Sequence, residues 1–362
     1  MSLEARLEKY CLTMATSGRE EPMIRAISED LGKFTKDITV DSFGNVMARF
    51  EAASPADDTV MLFAHTDQLG MVVTKIEESG FIRVVRLGGV PERVLAGSVV
   101  KIIAHGGDIV TGVIGTPPHH LTPESMKYVV PTIDKAYIDV GASSAAEVAK
   151  LGIQPGDHVA YEPRFERLAG NRVAGTSIDD RGGCAVLVGV AEALAAKPAK
   201  VNVVLVATVQ EEFNLRGAML AAEKIKPVAA ISLDLVAAGD TPEMGAPNGI
   251  TVGDGPVMGL YSFHGRGTLN GVIPHPGLVD MVEKTANKGK IPLQKHATVG
   301  LLTDASYVQF VNGGTPSLDL CWPTRYTHTG VEMCSLDDLA GLQKLAIDVI
   351  VNFPQKWDAT RH

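Results

Sequence analysis

The chain has 362 residues, enough to bury one large core or two unequal ones. Its 45% hydrophobic and 21% charged content is ordinary for a globular protein. A net charge of −9 with no basic stripe argues against nucleic acid as a partner, and no apolar run has the length of a membrane span.

Met1-Ser2-Leu3-Glu4-Ala5-Arg6 opens an amphipathic helix without an apolar signal core. Residues 3–34 predict two helices broken at Ser17-Gly18. Ile38-Thr39-Val40 and Val46-Met47-Ala48-Arg49-Phe50 predict strands around Gly44-Asn45, a hairpin signal. The apolar run 59–64 predicts a buried strand ending at His65-Thr66-Asp67. From Met71 to about Arg164 the texture changes to short alternating segments, such as 72–76, 81–85, 99–103 and 109–114. With one short helix near 144–150, this stretch predicts a compact β-barrel or sandwich. After Gly175 long βα units return: a helix from Arg181, a strand at 201–209, a helix at 216–225 and a strand at 228–234. Helices near 277–288 and 304–312, a strand near 315–321 and a final helix near 336–352 complete the pattern. The expected organisation is an α/β domain, residues 1–70 and 165–362, with a β domain, residues 71–164, inserted in one of its loops.

Cys11, Cys184, Cys321 and Cys334 are scattered and form no C-x-x-C pair, which fits free, mostly buried thiols in a reducing cytoplasm. Cys184 follows the Asp179-Asp180 turn, where packing in a small-residue helix outweighs a redox or nucleophilic role.

The chemistry concentrates where apolar runs end. Glu211 and Glu212 follow the run 201–209, and carboxylates at the edge of a core need a partner. A metal ion is one such partner; a strand cap with solvated carboxylates is the plainer alternative. His65 and Asp67 share one face of an extended chain. Asp234 ends a third run, His328 follows a fourth, and Asp179 lies in a turn before a small-residue helix. In open α/β sheets, sites form at the carboxyl ends of strands. His65, Asp179, Glu212, Asp234 and His328 suit two borderline ions such as zinc or cobalt, bridged by one carboxylate with a water between them. Glu211 is left over and can move a proton, so the reaction class is metal-assisted amide hydrolysis.

Taken in order, these segments resemble the TET-type dinuclear metallo-aminopeptidases, which include glutamyl and deblocking aminopeptidases. The resemblance rests on Val40-Asp41-Ser42-Phe43-Gly44-Asn45, Ala64-His65-Thr66-Asp67, Gly112-Val113-Ile114-Gly115 with Pro117-Pro118-His119, and Ile138-Asp139-Val140-Gly141-Ala142. It continues through Asp179-Asp180-Arg181-Gly182-Gly183, Glu211-Glu212, Leu215-Arg216-Gly217-Ala218, Ala238-Gly239-Asp240-Thr241-Pro242, Thr303-Asp304-Ala305 and Arg325-Tyr326-Thr327-His328. It implies a zinc-peptidase-type central mixed sheet flanked by helices, with a small inserted β-barrel. His65 and Asp234 are then implied to bind one metal, Glu212 and His328 the other, and Asp179 to bridge. Glu211 is implied as general base, Asp67 as support for His65, and Asp180 as the residue after a cis peptide. The implied partners are short peptides and further copies of the chain, from dimer to dodecamer. The chain departs from the family at Gln68, at Phe213-Asn214 and at Leu301-Leu302, and the stretch 266–270 aligns poorly.

His119 and His120 read as a rim loop with solvated imidazoles rather than a substrate contact, and His105, His158, His264, His275, His296 and His362 as structural or surface residues. Two readings compete with the peptidase. An endoglucanase-like glycosidase needs two carboxylates and no metal, and only Trp322 and Trp357 offer indole platforms for sugar stacking. A catalytically silent assembly protein does not need the intact Glu211-Glu212 pair and both histidines.

Overall fold

The computed structural model describes residues 1–245, 249–264 and 271–360; the stretch 266–270 and His362 lie outside the described residues.

The apolar runs lie side by side as a parallel centre. Asn202–Thr208 pairs with Thr59–His65 and sets Thr208 opposite His65. Ala229–Ala237 flanks Thr59–His65 on the other side and is followed by Ser317–Arg325. Antiparallel strands extend both edges, Val46–Phe50 on one and Glu332–Ser335 on the other. Val257–Phe263 also pairs with Ser317–Arg325 and carries Gln294–Val299 beside it, within one mixed sheet of 12 described strands.

Side-chain parity explains why these runs read as continuously apolar. Val60, Leu62 and Ala64 enter the larger core, whereas Met61 and Phe63 enter a smaller core on the opposite face. Val203, Leu205 and Ala207 likewise oppose Val204 and Val206. Helices Leu3–Cys11, Glu21–Leu31, Ile178–Ala196, Pro276–Gly289 and Leu336–Val351 cover the first face. Gly217–Ile225 and Ala305–Val308 cover the second.

Ile178–Ala196 is buried along nearly its whole length, including Cys184. Its small residues have a steric purpose: a Cβ on Gly182 would stand 2.4 Å from the Trp322 ring, and one on Gly183 would stand 2.3 Å from Asp180 Oδ1. All four cysteines are free and buried, and burial pushes the Cys184 thiol up.

The six strands Gly70–Ile76, Ile82–Leu87, Ile138–Asp139, Ile109–Ile114, Val99–Ile103 and His158–Tyr161 close a barrel with its own core of Met71, Val73, Ile82, Val84, Val100, Ile102 and Val159. Closure leaves no free sheet edge. The fold is therefore α/β, a central mixed sheet flanked by helices with a separate small β-barrel.

Several elements differ from expectation. The helix expected near 304–312 stops at Val308 and resumes as a short 3-10 turn, because Asn312, Gly313 and Gly314 all take positive φ. Phe165–Leu168, Arg172–Gly175, Val257–Phe263, Gln294–Val299 and Glu332–Ser335 form strands that the sequence pattern did not single out. Polar residues and Gly259 interrupt their apolar periodicity.

Candidate metal centre

Each expected site residue emerges near the carboxyl end of the parallel strands or from a loop facing it. His65 ends its strand, and Glu211 and Glu212 come three and four residues beyond Thr208. Asp234 lies within Ala229–Ala237, Asp179 at the start of the buried helix, and His328 three residues past Arg325.

These side chains meet. Asp179 Oδ1 lies 3.0 Å from His65 Nε2, and Asp179 Oδ2 lies 3.4 Å from His328 Nε2. His328 Nε2 is 3.9 Å from Glu212 Oε2, and His65 Nε2 is 3.9 Å from Glu211 Oε2. Two groups able to hold a metal ion result: His65, Asp179 and Asp234, and Asp179, Glu212 and His328. Asp179 belongs to both.

The supporting shell is built from backbone hydrogen bonds. Asp67 Oδ1 accepts from the Glu211 amide at 3.0 Å, and Oδ2 accepts from the Glu212 amide at 3.1 Å and from Ser17 Oγ at 2.6 Å. Its carboxylate stands 3.5 Å from His65 Nδ1, whereas its own carbonyl oxygen lies nearer, at 3.1 Å. Asp67 thus fixes the Glu211-Glu212 turn and holds His65 chiefly through its backbone. Asp180 Oδ2 accepts from the His65 amide at 2.8 Å, and the Asp179–Asp180 peptide is cis. Ser177, Gln210, Asn214, Leu215, Tyr326 and His328 hold positive φ, a conformation costly for non-glycine residues and concentrated here on the ligand loops.

Electrostatics follow from crowding carboxylates away from water. Burial pushes Glu212 up to about 8, with Asp179 adding to the push and His328 opposing it. Burial likewise holds Glu211 and Asp234 well above the carboxylate range. Burial alone would lower His328, yet Glu212 and Asp179 raise it to about 10. His65 is raised for the same reason, with Glu211 the largest opposing charge. Hydrogen bonds from His328 and His65 outweigh burial at Asp179 and hold it below its ordinary value. Glu212 Oε1 is buried with no hydrogen-bond partner among the described residues. Nitrogen and carboxylate donors, crowded negative charge and an orphaned buried oxygen all fit divalent cations.

Several residues of the site carried no sequence expectation. Glu332 Oε2 accepts from the Asp179 amide and Oε1 from the His328 amide, both at 2.8 Å, so one buried carboxylate ties two ligand loops together. Its position four residues after His328 was the available signal. Asp240 accepts from Arg325 Nε at 2.7 Å and fixes the strand end that leads to His328. Arg181 is fully buried and donates to Gln68 Oε1, Thr13 O and Thr66 O. The barrel contributes Gly89, whose carbonyl lies 3.2 Å from His328 Nδ1; a Cβ there would stand 2.9 Å from the same nitrogen.

The ligands open onto a cleft of about 510 Å³. Asp319, His296 and His264 also line it. His119 and His120 are exposed and do not line it. Phe213 and Asn214 lie exposed on the loop after Glu212.

Comparison with known proteins identifies the family. The profile of the M42 glutamyl aminopeptidase family matches residues 44–345. The putative aminopeptidase SgcX of Escherichia coli K12 is 36% identical over 91% of this chain and 88% of its own length. An aminopeptidase structure from the archaeon Desulfurococcus kamchatkensis has a TM-score of 0.89 at 33% identity, covering 96% of this chain and 94% of that one. The TET1 peptidase of Pyrococcus horikoshii, which assembles into a tetrahedron or a large octahedral shell, has a TM-score of 0.85 at 30% identity, covering 96% of this chain and 99% of that one. The chain belongs to the M42 family of glutamyl aminopeptidases and is a peptide hydrolase by family.

Proposed function

We propose that the protein is a dimetal aminopeptidase that removes N-terminal residues from short peptides. The observation that carries this reading is the position of Asp179 in both ligand groups, with Glu211 beside them and in neither. In this reading His65 and Asp234 hold one divalent ion, Glu212 and His328 the other, and Asp179 bridges; zinc or cobalt suits the donors. When bound, the ions supply Lewis acidity toward the scissile carbonyl and toward water.

The chain's own residues do the rest. Glu211 takes a proton from the attacking water as its oxygen bonds the carbonyl carbon. As the carbon–nitrogen bond breaks, Glu211 returns that proton to the leaving amine. Burial favours the protonated carboxyl midway through this cycle, and Asp234 and Glu212 add to that preference while His65 opposes it. Asp67 orients Glu211 through its backbone amide, and Glu332 keeps Asp179 and His328 in register.

We assign residues 1–70 and 165–362 to the catalytic domain and 71–164 to the inserted β-barrel domain. We further propose a cytoplasmic homo-oligomer, dimers closing into a dodecamer, on the likeness to TET1, which is also known as a dodecamer. Closed assembly needs self-complementary patches, and light scattering on the metal-loaded protein reads it directly.

The test of function is a panel of aminoacyl chromogenic substrates with zinc, cobalt or manganese, before and after chelation. Cleavage abolished by the chelator and restored by metal is expected. Hydrolysis of β-glucan that survives chelation, with no aminoacyl cleavage, would replace this reading with a glycosidase.

A further inference from the structure

We propose that the cleft selects peptides whose N-terminal residue carries a cationic side chain, lysine or arginine, and that Asp319 is the specificity-determining residue. The proposal rests on the aminopeptidase reading above.

Asp319 lies inside Ser317–Arg325, in the middle of an apolar run. Leu318, Leu320 and Trp322 pack into the larger core, so alternation turns Asp319 and Cys321 to the opposite face, where both line the cleft. Asp319 is only 3% exposed, and among the described residues its carboxylate accepts one hydrogen bond, from Thr303 Oγ1 to Oδ1 at 2.8 Å. A carboxylate so far from water needs a charged partner. Among the described residues no Lys or Arg lines the cleft.

A second polar group is incomplete at the same place. His296 lines the cleft at 8% exposure, and its Nδ1 has no hydrogen-bond partner among the described residues. Gly259 separates the two: a Cβ there would stand 3.2 Å from Asp319 Cβ and 3.3 Å from His296 Nε2. Glycine keeps the space between carboxylate and imidazole open.

Register fixes where this pair stands relative to the metal centre. In the parallel pair, Ser232 faces Asp319 and Asp234 faces Cys321. Ile231 and Leu233 enter the larger core, so Ser232 and Asp234 share the cleft face with Asp319. One pleat period along and one strand across puts the Cα atoms of Asp234 and Asp319 roughly 8 Å apart. A substrate whose α-amino end lies at the ligand cluster can lay an extended lysine or arginine side chain along this face. Its charge then meets Asp319. A glutamyl side chain would face Asp319 and the remaining carboxylates, and an apolar one would leave Asp319 unpaired.

The deciding experiment compares lysyl, arginyl, norleucyl and glutamyl chromogenic substrates on the metal-loaded full chain, and measures Kd of L-lysinamide and L-norleucinamide by calorimetry. Norleucine keeps the lysine chain and lacks only the ammonium group. We expect kcat/KM for lysyl and arginyl substrates about tenfold or more above norleucyl, glutamyl lowest, and lysinamide binding tighter than norleucinamide. Asp319→Asn, which keeps the size and the acceptor for Thr303, is expected to erase that advantage mainly through KM. Norleucyl or glutamyl preference in the unmodified chain overturns the proposal while leaving the peptidase reading intact. A uniform loss on all four substrates in Asp319→Asn assigns Asp319 a structural role and also overturns it. If Asp319→Asn does not fold, the lysyl to norleucyl ratio and the two Kd values in the unmodified chain still decide. No aminoacyl cleavage at all fails the peptidase reading itself, and the proposal falls with it.

Discussion

The two halves of the ligand cluster are built differently. His65 and Asp234 sit on parallel strands at the centre of the sheet, and the His65 side chain is 3% exposed. Glu212 and His328 sit on loops, His328 with positive φ and 36% side-chain exposure, braced by Glu332 and by Gly89 of the barrel. Asp179 joins them. A ligand on a strand is fixed by the fold's own hydrogen-bond ladder and core. A ligand on a strained loop is fixed by a few side chains that hold the loop. The strand half should bind its ion more tightly, and the loop half should exchange it more readily.

The largest effect expected from a single change tests the residue between the halves. Glu211→Gln should lower kcat by about a hundred- to ten-thousand-fold and leave metal content at two ions per chain. Near-normal kcat would remove Glu211 from the mechanism. Next come the supports of each half. Glu332→Gln should weaken metal binding by about ten- to a hundredfold, acting on the loop half first. Equal loss at both ions in a competition titration would contradict the asymmetry. His328→Ala should likewise retain one ion where His65→Ala retains fewer, as read by elemental analysis after gel filtration.

The pH response carries the same logic. Burial raises Glu212 and Glu332 to about 8, and neighbouring carboxylates raise His328 to about 10. Because these folded values are raised, the stability these groups contribute to the metal-free chain is present in acid and should be lost as pH rises through 8. Divalent ions bind the deprotonated carboxylates, so the gain in Tm on adding zinc should grow between pH 5 and 8. A gain independent of pH would contradict it. The smallest effect lies outside the cluster: Gly182→Ala presses a methyl into the Trp322 ring and should cost about 1–3 kcal/mol in urea unfolding.

The same contrast between strand and loop governs what the sequence revealed. Runs such as 59–64 and 201–209 were legible because burial on both faces leaves an uninterrupted apolar signal. Of the residues quoted at their ends, Glu211, Glu212 and Asp234 converge in one cleft, and His65 Nε2 lies 3.9 Å from Glu211 Oε2. Glu332 was not legible, because its function is to accept two backbone amides contributed by loops distant in sequence from one another. Gly89 was missed because nothing local indicates that a barrel turn reaches His328. Asp319 was written plainly as a charge inside Leu318-Asp319-Leu320, yet its meaning depends on the cleft that Gly259 and His296 shape on neighbouring strands.

The central claim, two ions sharing Asp179, is tested most directly by an anomalous-scattering map from a zinc-loaded crystal. The account predicts two peaks about 3.5–4 Å apart, one beside His65 and Asp234, the other beside Glu212 and His328, with an Asp179 oxygen on each. A single fully occupied ion, or peaks that do not touch Asp179, would contradict it.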